Sequence, residues 1–202
     1  EAEAYLRNGE WSGWFLQQLL GTDVHHATLG ILGMGRIGQA VARRARGFGM
    51  PIVYHNRSRL APAIEAGLGA RYVALDELLA RSDFLVLQVP YSAATHHLIG
   101  AAELARMKSS AILINAARGG VVDDAALIEA LARGTIRAAG LDVFENEPAF
   151  APGFLALRNV VLAPHIGSST RATRLAMAMT AAPNAHPVLT GQPAPNRVNP
   201  QV

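Results

Sequence analysis

The chain of 202 residues contains no cysteine, which excludes disulfides, thiolate nucleophiles and cysteine-ligated metal sites. Charged residues are also sparse, at 16%, and aromatic residues make up only 6%. Half of the residues are hydrophobic, so the chain has enough apolar surface for a core and is not an intrinsically disordered protein. At this length we expect one large domain or two small ones.

Lysine is nearly absent as well, because 17 of the 18 basic residues are arginine. The net charge of +3 and the pI of about 9.8 are values at which a nucleic-acid partner has to be considered. The arginines, however, are spread along the chain without a run of five or six basic residues. We therefore predict no nucleic-acid partner.

No segment has the composition of a membrane span or a signal peptide. The uncharged stretch 84–102 contains Gln88, Pro90 and His96, whereas a spanning helix needs about 20 mostly apolar residues. The chain opens with Glu-Ala-Glu-Ala and lacks the basic and apolar regions of a leader. We predict no membrane association and a cytoplasmic location. Because the first residue is not Met, we expect a fragment or a processed product.

Short aliphatic runs alternate with longer amphipathic ones, and the runs are hydrophobic throughout rather than at every second residue. This pattern predicts an α/β fold with a doubly wound parallel sheet covered by helices, in a strand order resembling 3-2-1-4-5-6. The predicted strands are 28–32, 51–54, 71–73, 84–88, 111–115, 136–141 and 160–162, and the predicted helices are 37–48, 60–66, 75–79, 101–107 and 124–132, the last with Asp123 as N-cap.

The two ends of the chain differ from this pattern. Residues 1–27 are unusually apolar for a segment outside the repeat, so we expect them to pack on another surface, for which a partner subunit is one candidate. Residues 183–202 contain five prolines and are predicted not to continue a helix. The apolar residues are Tyr5, Trp11, Trp14, Phe15, Leu16, Leu19 and Leu20, and the prolines are Pro183, Pro187, Pro193, Pro195 and Pro200.

A G-x-G-x-x-G pattern, Gly33 to Gly38, follows the first predicted strand and opens the first long helix. In that context Gly33 permits a tight turn, Gly35 lets the backbone approach a pyrophosphate, and Gly38 allows close packing of helix on strand. The helix N-terminus then offers free N–H groups to phosphates. The pattern predicts a dinucleotide site; the alternative is a glycine-rich connector without a ligand.

The second strand bears on which dinucleotide binds. An acid about 20 residues after the loop is typical of NAD sites, where it binds the ribose 2′-hydroxyl. Here the segment reads His55-Asn56-Arg57-Ser58-Arg59, and the first acid is Glu65. Since arginine can pair with a 2′-phosphate, we predict a preference for NADP(H), with NAD(H) possible. The alternative is that both arginines are merely solvated.

Three later segments place residues that could act in catalysis at the ends of predicted strands. Segment 115–120 contains Arg118, segment 141–148 contains Glu147, and segment 163–168 contains His165. Parallel sheets bind ligands at the carboxyl ends of their strands. An arginine can hold a carboxylate and polarise a carbonyl, a histidine can transfer a proton, and a neighbouring glutamate can orient that histidine.

On these motifs the chain resembles the cofactor domain of the D-isomer-specific 2-hydroxyacid dehydrogenases, in the glyoxylate/hydroxypyruvate reductase branch. The resemblance covers residues 28–180, and residues 1–27 resemble the dimerisation arm of that family. The matching pieces are Gly33 to Gly38, Val89-Pro90 followed by Thr95, Asn115 to Gly119, Leu141 to Pro148 and Pro164 to Ser168.

The resemblance implies a role for each matching residue. Arg118 is expected to bind the substrate carboxylate and carbonyl, His165 to be the acid/base, and Glu147 to be its partner; Asp142 is expected to bind the nicotinamide carboxamide. The full set expected at the cofactor is Gly33, Gly35, Arg36, Ile37, Gly38, Asn56, Arg57, Ser58, Arg59, Pro90, Thr95, Ala116, Arg118, Asp142, His165 and Gly167. The expected partners are a 2-keto or 2-hydroxy acid and a second copy of the chain.

No metal site is predicted. The remaining histidines show no metal-ligand spacing and are interpreted as surface or loop residues, namely His25, His26, His96, His97 and His186. Against the family pattern, the N-terminal substrate domain is missing, so we expect the chain to bind dinucleotide but to be inactive alone. The domains are predicted as an arm (1–27), a dinucleotide-binding domain (28–182) and a tail toward the absent domain (183–202).

The sequence favours an NADPH-dependent reductase of glyoxylate or hydroxypyruvate. Two alternatives stay open. One is a different acid substrate, such as 2-ketogluconate or another D-2-hydroxy acid. The other is a nucleotide-sensing interaction module, because corepressors of this superfamily resemble the enzymes and keep similar site residues.

Overall fold

The structure, a computed structural model, describes residues 1–197. The chain divides into two compact units, Glu1–His165 and a second that begins at Ile166. The strands are β1 (Leu29–Leu32), β2 (Ile52–His55), β3 (Ala70–Tyr72), β4 (Phe84–Leu87), β5 (Ile112–Asn115), β6 (Ala138–Leu141) and β7 (Val160–Leu162). The helices are α1 (Ala2–Arg7), α2 (Arg36–Ala45), α3 (Pro62–Leu68), α4 (Leu75–Arg81), α5 (Ala101–Leu104), α6 (Asp124–Arg133) and α7 (Arg171–Leu189).

All seven strands pair in parallel in one sheet with the order β3-β2-β1-β4-β5-β6-β7. The predicted order is confirmed, with β7 added beyond β6. The register aligns the last residues of neighbouring strands, because Leu32 lies opposite His55 and Leu87, and Asn115 lies opposite Leu87 and Leu141. The loops that follow β1, β2, β4, β5 and β6 therefore leave the sheet at one common edge.

The sheet separates two buried clusters, since successive side chains of a strand point to opposite faces. One cluster contains Leu29 and Ile31 and packs under α2, whose Ala42 and Ala45 are buried. The other contains Leu32 and is covered by buried residues of α4, α5 and α6. Burial on both faces explains why the strands are hydrophobic throughout, as the sequence indicated.

Several predicted elements differ in length from the observed ones. The predicted helix 37–48 is α2 followed by a 3₁₀ turn, Arg46–Phe48, and the predicted helix 101–107 is only the four residues of α5. The Asp123 cap is confirmed, because its carboxylate accepts the Ala126 N–H at 3.1 Å. None of the helices in residues 1–197 is long and apolar enough to span a membrane.

The prediction that residues from 183 onward cannot continue a helix is wrong. Helix α7 runs from Arg171 to Leu189 and includes Pro183 and Pro187. Each proline removes one N–H donor, which leaves the carbonyls of Met179 and Pro183 without a helical partner. Both of these residues are exposed, so water can satisfy their carbonyls and the helix is not interrupted. Pro200 and the rest of the predicted tail after residue 197 lie outside the described residues.

Candidate active site

The glycine loop joins β1 to α2 in a conformation that other residues would not tolerate. Gly33 has a φ of +101°, and a Cβ built on it would lie 2.6 Å from the backbone carbonyl of Gln88. A Cβ on Gly38 would lie 2.3 Å from the Gly33 oxygen. Steric contact therefore requires glycine at both positions, as the motif predicted, and holds the start of α2 against the ends of β1 and β4.

The first turn of α2 can accept an anion. Gly35 caps the helix without a side-chain hydrogen bond, and no acidic residue stands in the first turn. A Cβ on Gly35 would meet nothing within 4 Å, so the space beside it is open. Arg36 and Ile37 are exposed at the helix start. Free N–H groups, the positive end of the helix dipole and open space fit a dinucleotide pyrophosphate.

The loop after β2 lies next to the glycine loop. The Asn56 side chain joins the two, because its Oδ1 accepts the Met34 N–H at 3.4 Å and its Nδ2 donates to the Ser58 carbonyl at 3.0 Å. Arg57 and Ser58 are exposed. Arg59, in contrast, donates from Nε and Nη2 to the two carboxylate oxygens of Glu65, at 2.9 and 2.7 Å. The two arginines predicted at the cofactor are thus in different surroundings.

A cavity of about 350 Å³ follows the sheet edge beside α2. It brings together four residues that were expected at the cofactor: Ile37, Pro90, Ala116 and Arg118. Thr95 stabilises the loop on one side, since its hydroxyl donates to the Pro90 carbonyl at 2.7 Å. The lining thus includes an exposed isoleucine at the helix start and the arginine that follows β5. This size and chemistry suit a nicotinamide nucleotide.

Arg118 is presented by a turn that the last residue of β5 builds. Asn115 is buried, and its Oδ1 accepts the Ala117 N–H at 3.1 Å while its Nδ2 donates to the Arg118 carbonyl at 3.1 Å. The Arg118 Nη1 donates to the Ala117 carbonyl at 2.6 Å. The Asn115 amide therefore orders the backbone that carries the arginine, a role that the sequence reading had not assigned to it.

His165 and Glu147 form a close pair between the ends of β6 and β7. The His165 Nδ1 lies 2.7 Å from Glu147 Oε2, and Glu147 Oε1 accepts the Phe144 N–H at 2.8 Å. Partial burial raises the pKa of Glu147, but the hydrogen bonds from His165 and Phe144 outweigh it and hold that pKa below its ordinary value. A charged Glu147 orients the ring and leaves the histidine Nε2 for proton exchange.

Two residues of this pair's surroundings have strained backbones. His165 has a φ of +53° and Asn146 a φ of +61°, both in the left-handed region that favours glycine. Conformations of this kind are held by the surrounding structure and cluster at functional sites. The Glu147–Pro148 peptide bond is cis.

A second cavity, of about 330 Å³, unites the three residues predicted to be catalytic. Arg118, Glu147 and His165 all line it. Tyr91 lines it too, and both Tyr91 and Arg118 also line the cavity beside α2. The two cavities therefore adjoin, so that a small acid and a nicotinamide ring can meet at their boundary. Sequence reasoning missed Tyr91, although its position directly after Val89-Pro90 at the end of β4 is the signal that could have found it.

His96, His97 and Glu145 form a polar group that was not predicted from the sequence. The His97 Nε2 lies 3.2 Å from each carboxylate oxygen of Glu145, and the His96 and His97 rings stack with centroids 3.8 Å apart. His97, predicted as a surface or loop residue, lies in a turn and is half-buried. Ligand atoms of His96, His97 and Glu145 lie within 4.8 Å of one another. Ligand atoms this close together could hold a metal ion, a possibility that the spacing of the histidines in the sequence does not indicate.

The sequence also predicts cofactor contacts at Asp142 and Gly167. The Asp142 N–H donates to the Asn115 carbonyl at 3.0 Å, so Asp142 directly follows β6 at the common edge. Gly167 is exposed in the unit that begins at Ile166.

An apolar cavity of about 350 Å³ lies on the other side of the His165–Glu147 pair. Its walls include Phe150, Leu155 and Leu162, and it reaches both members of the pair. His165 and Glu147 thus line both a polar cavity that contains Arg118 and an apolar one.

Comparisons with known proteins agree with this geometry. Residues 1–167 match the family model described as "D-isomer specific 2-hydroxyacid dehydrogenase, NAD binding domain". The chain is 56% identical over 199 residues to the glyoxylate/hydroxypyruvate reductase B of Pectobacterium atrosepticum, covering 98% of this chain and 62% of that protein.

Solved structures give the same result. A putative D-isomer specific 2-hydroxyacid dehydrogenase from Polaromonas has a TM-score of 0.89 and 43% identity, covering 96% of this chain and 61% of that one. A glyoxylate reductase from Paecilomyes thermophila has a TM-score of 0.87 and 44% identity, covering 99% and 60%. The chain spans about three fifths of the length of these relatives. With a Rossmann-type sheet and a family model that covers most of its length, the chain belongs to the D-isomer specific 2-hydroxyacid dehydrogenases.

Proposed function

We propose that the protein reduces small 2-keto acids with a nicotinamide cofactor, and that glyoxylate and hydroxypyruvate are its substrates. Support comes from the single cavity that Arg118, Glu147 and His165 line together, next to a cavity that fits a nicotinamide nucleotide. A relative at 56% identity is named glyoxylate/hydroxypyruvate reductase B, which favours these substrates over other acids.

In this function each residue has a distinct task. Arg118 binds the substrate carboxylate through its guanidinium and stabilises negative charge on the neighbouring carbonyl oxygen. His165 donates its Nε2 proton to that oxygen as the alcohol forms. Glu147 accepts the hydrogen bond from the His165 Nδ1 at 2.7 Å, which keeps the ring oriented with its Nε2 available for the substrate oxygen.

The cofactor-binding residues follow from the same edge of the sheet. The N-terminus of α2, with Gly35, Arg36 and Ile37, holds the pyrophosphate, and Ala116 and Asp142 flank the nicotinamide end. A bound reduced nicotinamide supplies the hydride. The assignments of Pro90, Thr95 and Gly167 as cofactor contacts belong to this proposal as well.

We further propose that NADPH is preferred to NADH. Support comes from the loop after β2, where Arg57 is exposed and Asn56 stands where an acid would repel a 2′-phosphate. Glu65, the first acid after this loop, is already paired with Arg59. The remaining positive charge on the loop is that of Arg57, and it favours a cofactor with an additional phosphate.

The proposed assembly is a homodimer formed through residues 1–27. Support comes from their exposed apolar side chains, among them Trp14 at 81% and Leu16 at 79%. The division into an arm (1–27), a dinucleotide-binding domain (28–182) and a C-terminal segment (183–202) is part of the same proposal, and a cytoplasmic location stays a prediction.

The experiment that tests the activity is steady-state turnover by the full-length protein. Glyoxylate, hydroxypyruvate, 2-ketogluconate and pyruvate are each supplied with NADPH or NADH. We expect the highest kcat/KM with glyoxylate or hydroxypyruvate and NADPH. A maximum at 2-ketogluconate would replace the substrate assignment, and tight dinucleotide binding without turnover of any acid would favour a nucleotide-sensing module.

A further inference from the structure

The structure assigns Arg59, whose side chain is 63% exposed, to a clamp with the buried side chains of Tyr54 and Glu65. This clamp positions the loop 56–60 and leaves Arg57 as the guanidinium for the 2′-phosphate. We infer that Arg59 is a positioning residue and not a ligand of the cofactor. This inference rests on the proposed NADPH preference, and it names the residues that determine it.

The clamp begins at Tyr54, which is fully buried in β2. Its hydroxyl donates to Glu65 Oε1 at 2.6 Å and accepts the Leu60 N–H at 2.8 Å. One phenol oxygen therefore ties together β2, helix α3 and the residue that ends the loop. Because Tyr54 lies in the core, it cannot contact a bound nucleotide.

Arg59 completes the clamp from outside. Its Nε and Nη2 donate to the two oxygens of Glu65 in a two-bond fork, and its guanidinium carbon lies 6.0 Å from the centre of the Tyr72 ring. The Glu65 side chain is only 9% exposed. If Arg59 turned away to bind a phosphate, a nearly buried carboxylate would lose its charged partner, which is costly.

The protonation equilibria agree with a satisfied clamp. The hydrogen bonds from Arg59 and then from Tyr54 lower the pKa of Glu65 to about 2. Burial and then the hydrogen bond to Glu65 raise the pKa of Tyr54 to about 12. Glu65 is therefore a carboxylate and Tyr54 a neutral hydrogen-bond donor near neutral pH.

The other end of the loop is held by Asn56, which contacts both the Met34 N–H and the Ser58 carbonyl. Between this point and Arg59 only Arg57 and Ser58 stand, and both are exposed. The clamp also neutralises Glu65, so that its charge does not repel a 2′-phosphate. The loop thus presents one arginine and one hydroxyl, a pair that suits a phosphate.

The test compares the affinities of the full-length protein for NADPH and NADH by fluorescence titration, with 2′,5′-ADP and 5′-AMP as competitors that report on the adenosine end alone. Arg57→Gln removes the proposed ligand. We expect NADPH affinity to fall by about tenfold or more, the range for a lost charge-assisted bond, and NADH affinity to stay within about twofold. An unchanged NADPH affinity would overturn the assignment of Arg57.

Glu65→Gln distinguishes two hypotheses about Arg59. In the first, Arg59 is a positioning residue of the clamp; in the second, it binds the 2′-phosphate directly. If Arg59 were a ligand, releasing it from Glu65 would tighten NADPH binding. A clamp predicts the opposite: weaker binding of NADPH and 2′,5′-ADP by several-fold, with kcat at saturation unchanged. Glu77→Gln is the matched control, because Glu77 is also paired with arginines but lies on α4.

Tyr54→Phe supplies an independent measurement. It removes a hydroxyl that is out of reach of any nucleotide, and we expect it to lower the ratio of NADPH to NADH affinity in the same direction as Glu65→Gln. If both variants kept the ratio of the unmodified protein while remaining folded by circular dichroism, the clamp would be overturned. An unmodified protein that binds NADH as tightly as NADPH would instead overturn the proposed cofactor preference.

Discussion

The strands of the sheet and the segment that precedes them are both rich in large apolar residues, yet these residues have opposite surroundings. In β1 every residue is buried, and Leu85 and Leu113 in the next strands have no exposed surface. Before Leu29 no residue is buried at all. The sheet buries its apolar residues within the chain, whereas the N-terminal segment leaves its own exposed to solvent.

The candidate active site and the N-terminal arm also differ in how their side chains are held in place. Every side chain proposed to act on the substrate is held by a neighbour in the same unit, as His165 is by Glu147 and Arg118 by the turn at Asn115. The arm makes few such contacts, for example the bond from Arg137 Nη2 to the Leu20 carbonyl at 3.3 Å. We therefore expect substitutions in the two regions to affect different measurements.

The largest effect is expected at His165, the proposed acid/base. His165→Ala removes the proposed proton donor, and we expect it to lower kcat for glyoxylate reduction by a factor of about 10² to 10⁴ in the full-length protein. NADPH affinity, measured by fluorescence titration, changes by no more than about twofold. His25→Ala, in the exposed segment, is the matched control. If His165→Ala kept more than a tenth of the turnover, His165 would not be the acid/base.

The next largest effect is on the free energy of unfolding, which we expect to differ between the sheet and the arm. Leu85→Ala removes fully buried methyl groups and is expected to lower the free energy of unfolding by about 2–5 kcal/mol in urea denaturation. Leu16→Ala makes the same chemical change at a side chain that is 79% exposed, and at a protein concentration where the chain is monomeric we expect less than about 0.5 kcal/mol. Equal losses would mean that the arm packs on its own subunit.

Association is the measurement in which the arm should dominate. Trp14→Ala removes a large apolar side chain that is 81% exposed, and we expect it to raise the dimer dissociation constant by about tenfold or more. Sedimentation velocity over a series of concentrations measures this constant. Leu155→Ala, at an exposed leucine outside the arm, is the control. A protein that stays monomeric at micromolar concentration would contradict the dimer.

The smallest expected effect is the loss of stability at acidic pH that is due to Glu65. The folded pKa of Glu65 is about 2, below its ordinary value of 4.5, so its carboxylate stabilises the fold above pH 4.5, and this contribution is lost as the pH falls toward 2. We expect the urea midpoint of the unmodified protein to fall in this window, and that of Glu65→Gln to fall less steeply. Parallel curves for the two proteins would show that the pair with Arg59 adds nothing to folding.

Much of this arrangement could be predicted from residues alone. The strand order, the glycine loop, the Asp123 cap and the meeting of Arg118, Glu147 and His165 at one edge all follow from local signals. Each depends on a motif of a few residues or on the rule that parallel strands end together. Helix α7 was predicted wrongly, because it continues through Pro183 to Leu189. The prediction considered the N–H donor that a proline removes, but not that water can bind the carbonyl left unpaired on an exposed helix.

Other features needed the tertiary structure. Arg57 and Arg59 are two residues apart and chemically identical, and only the approach of α3 to the end of β2 shows that Glu65 takes one and leaves the other. Likewise, the contact of His97 with Glu145 joins residues 48 positions apart. A sequence determines backbone conformation through short-range sterics and periodicity, which is why the fold and the glycine turn were readable. Which charges neutralise each other depends on distances of a few ångströms between separate elements, and only packing decides those.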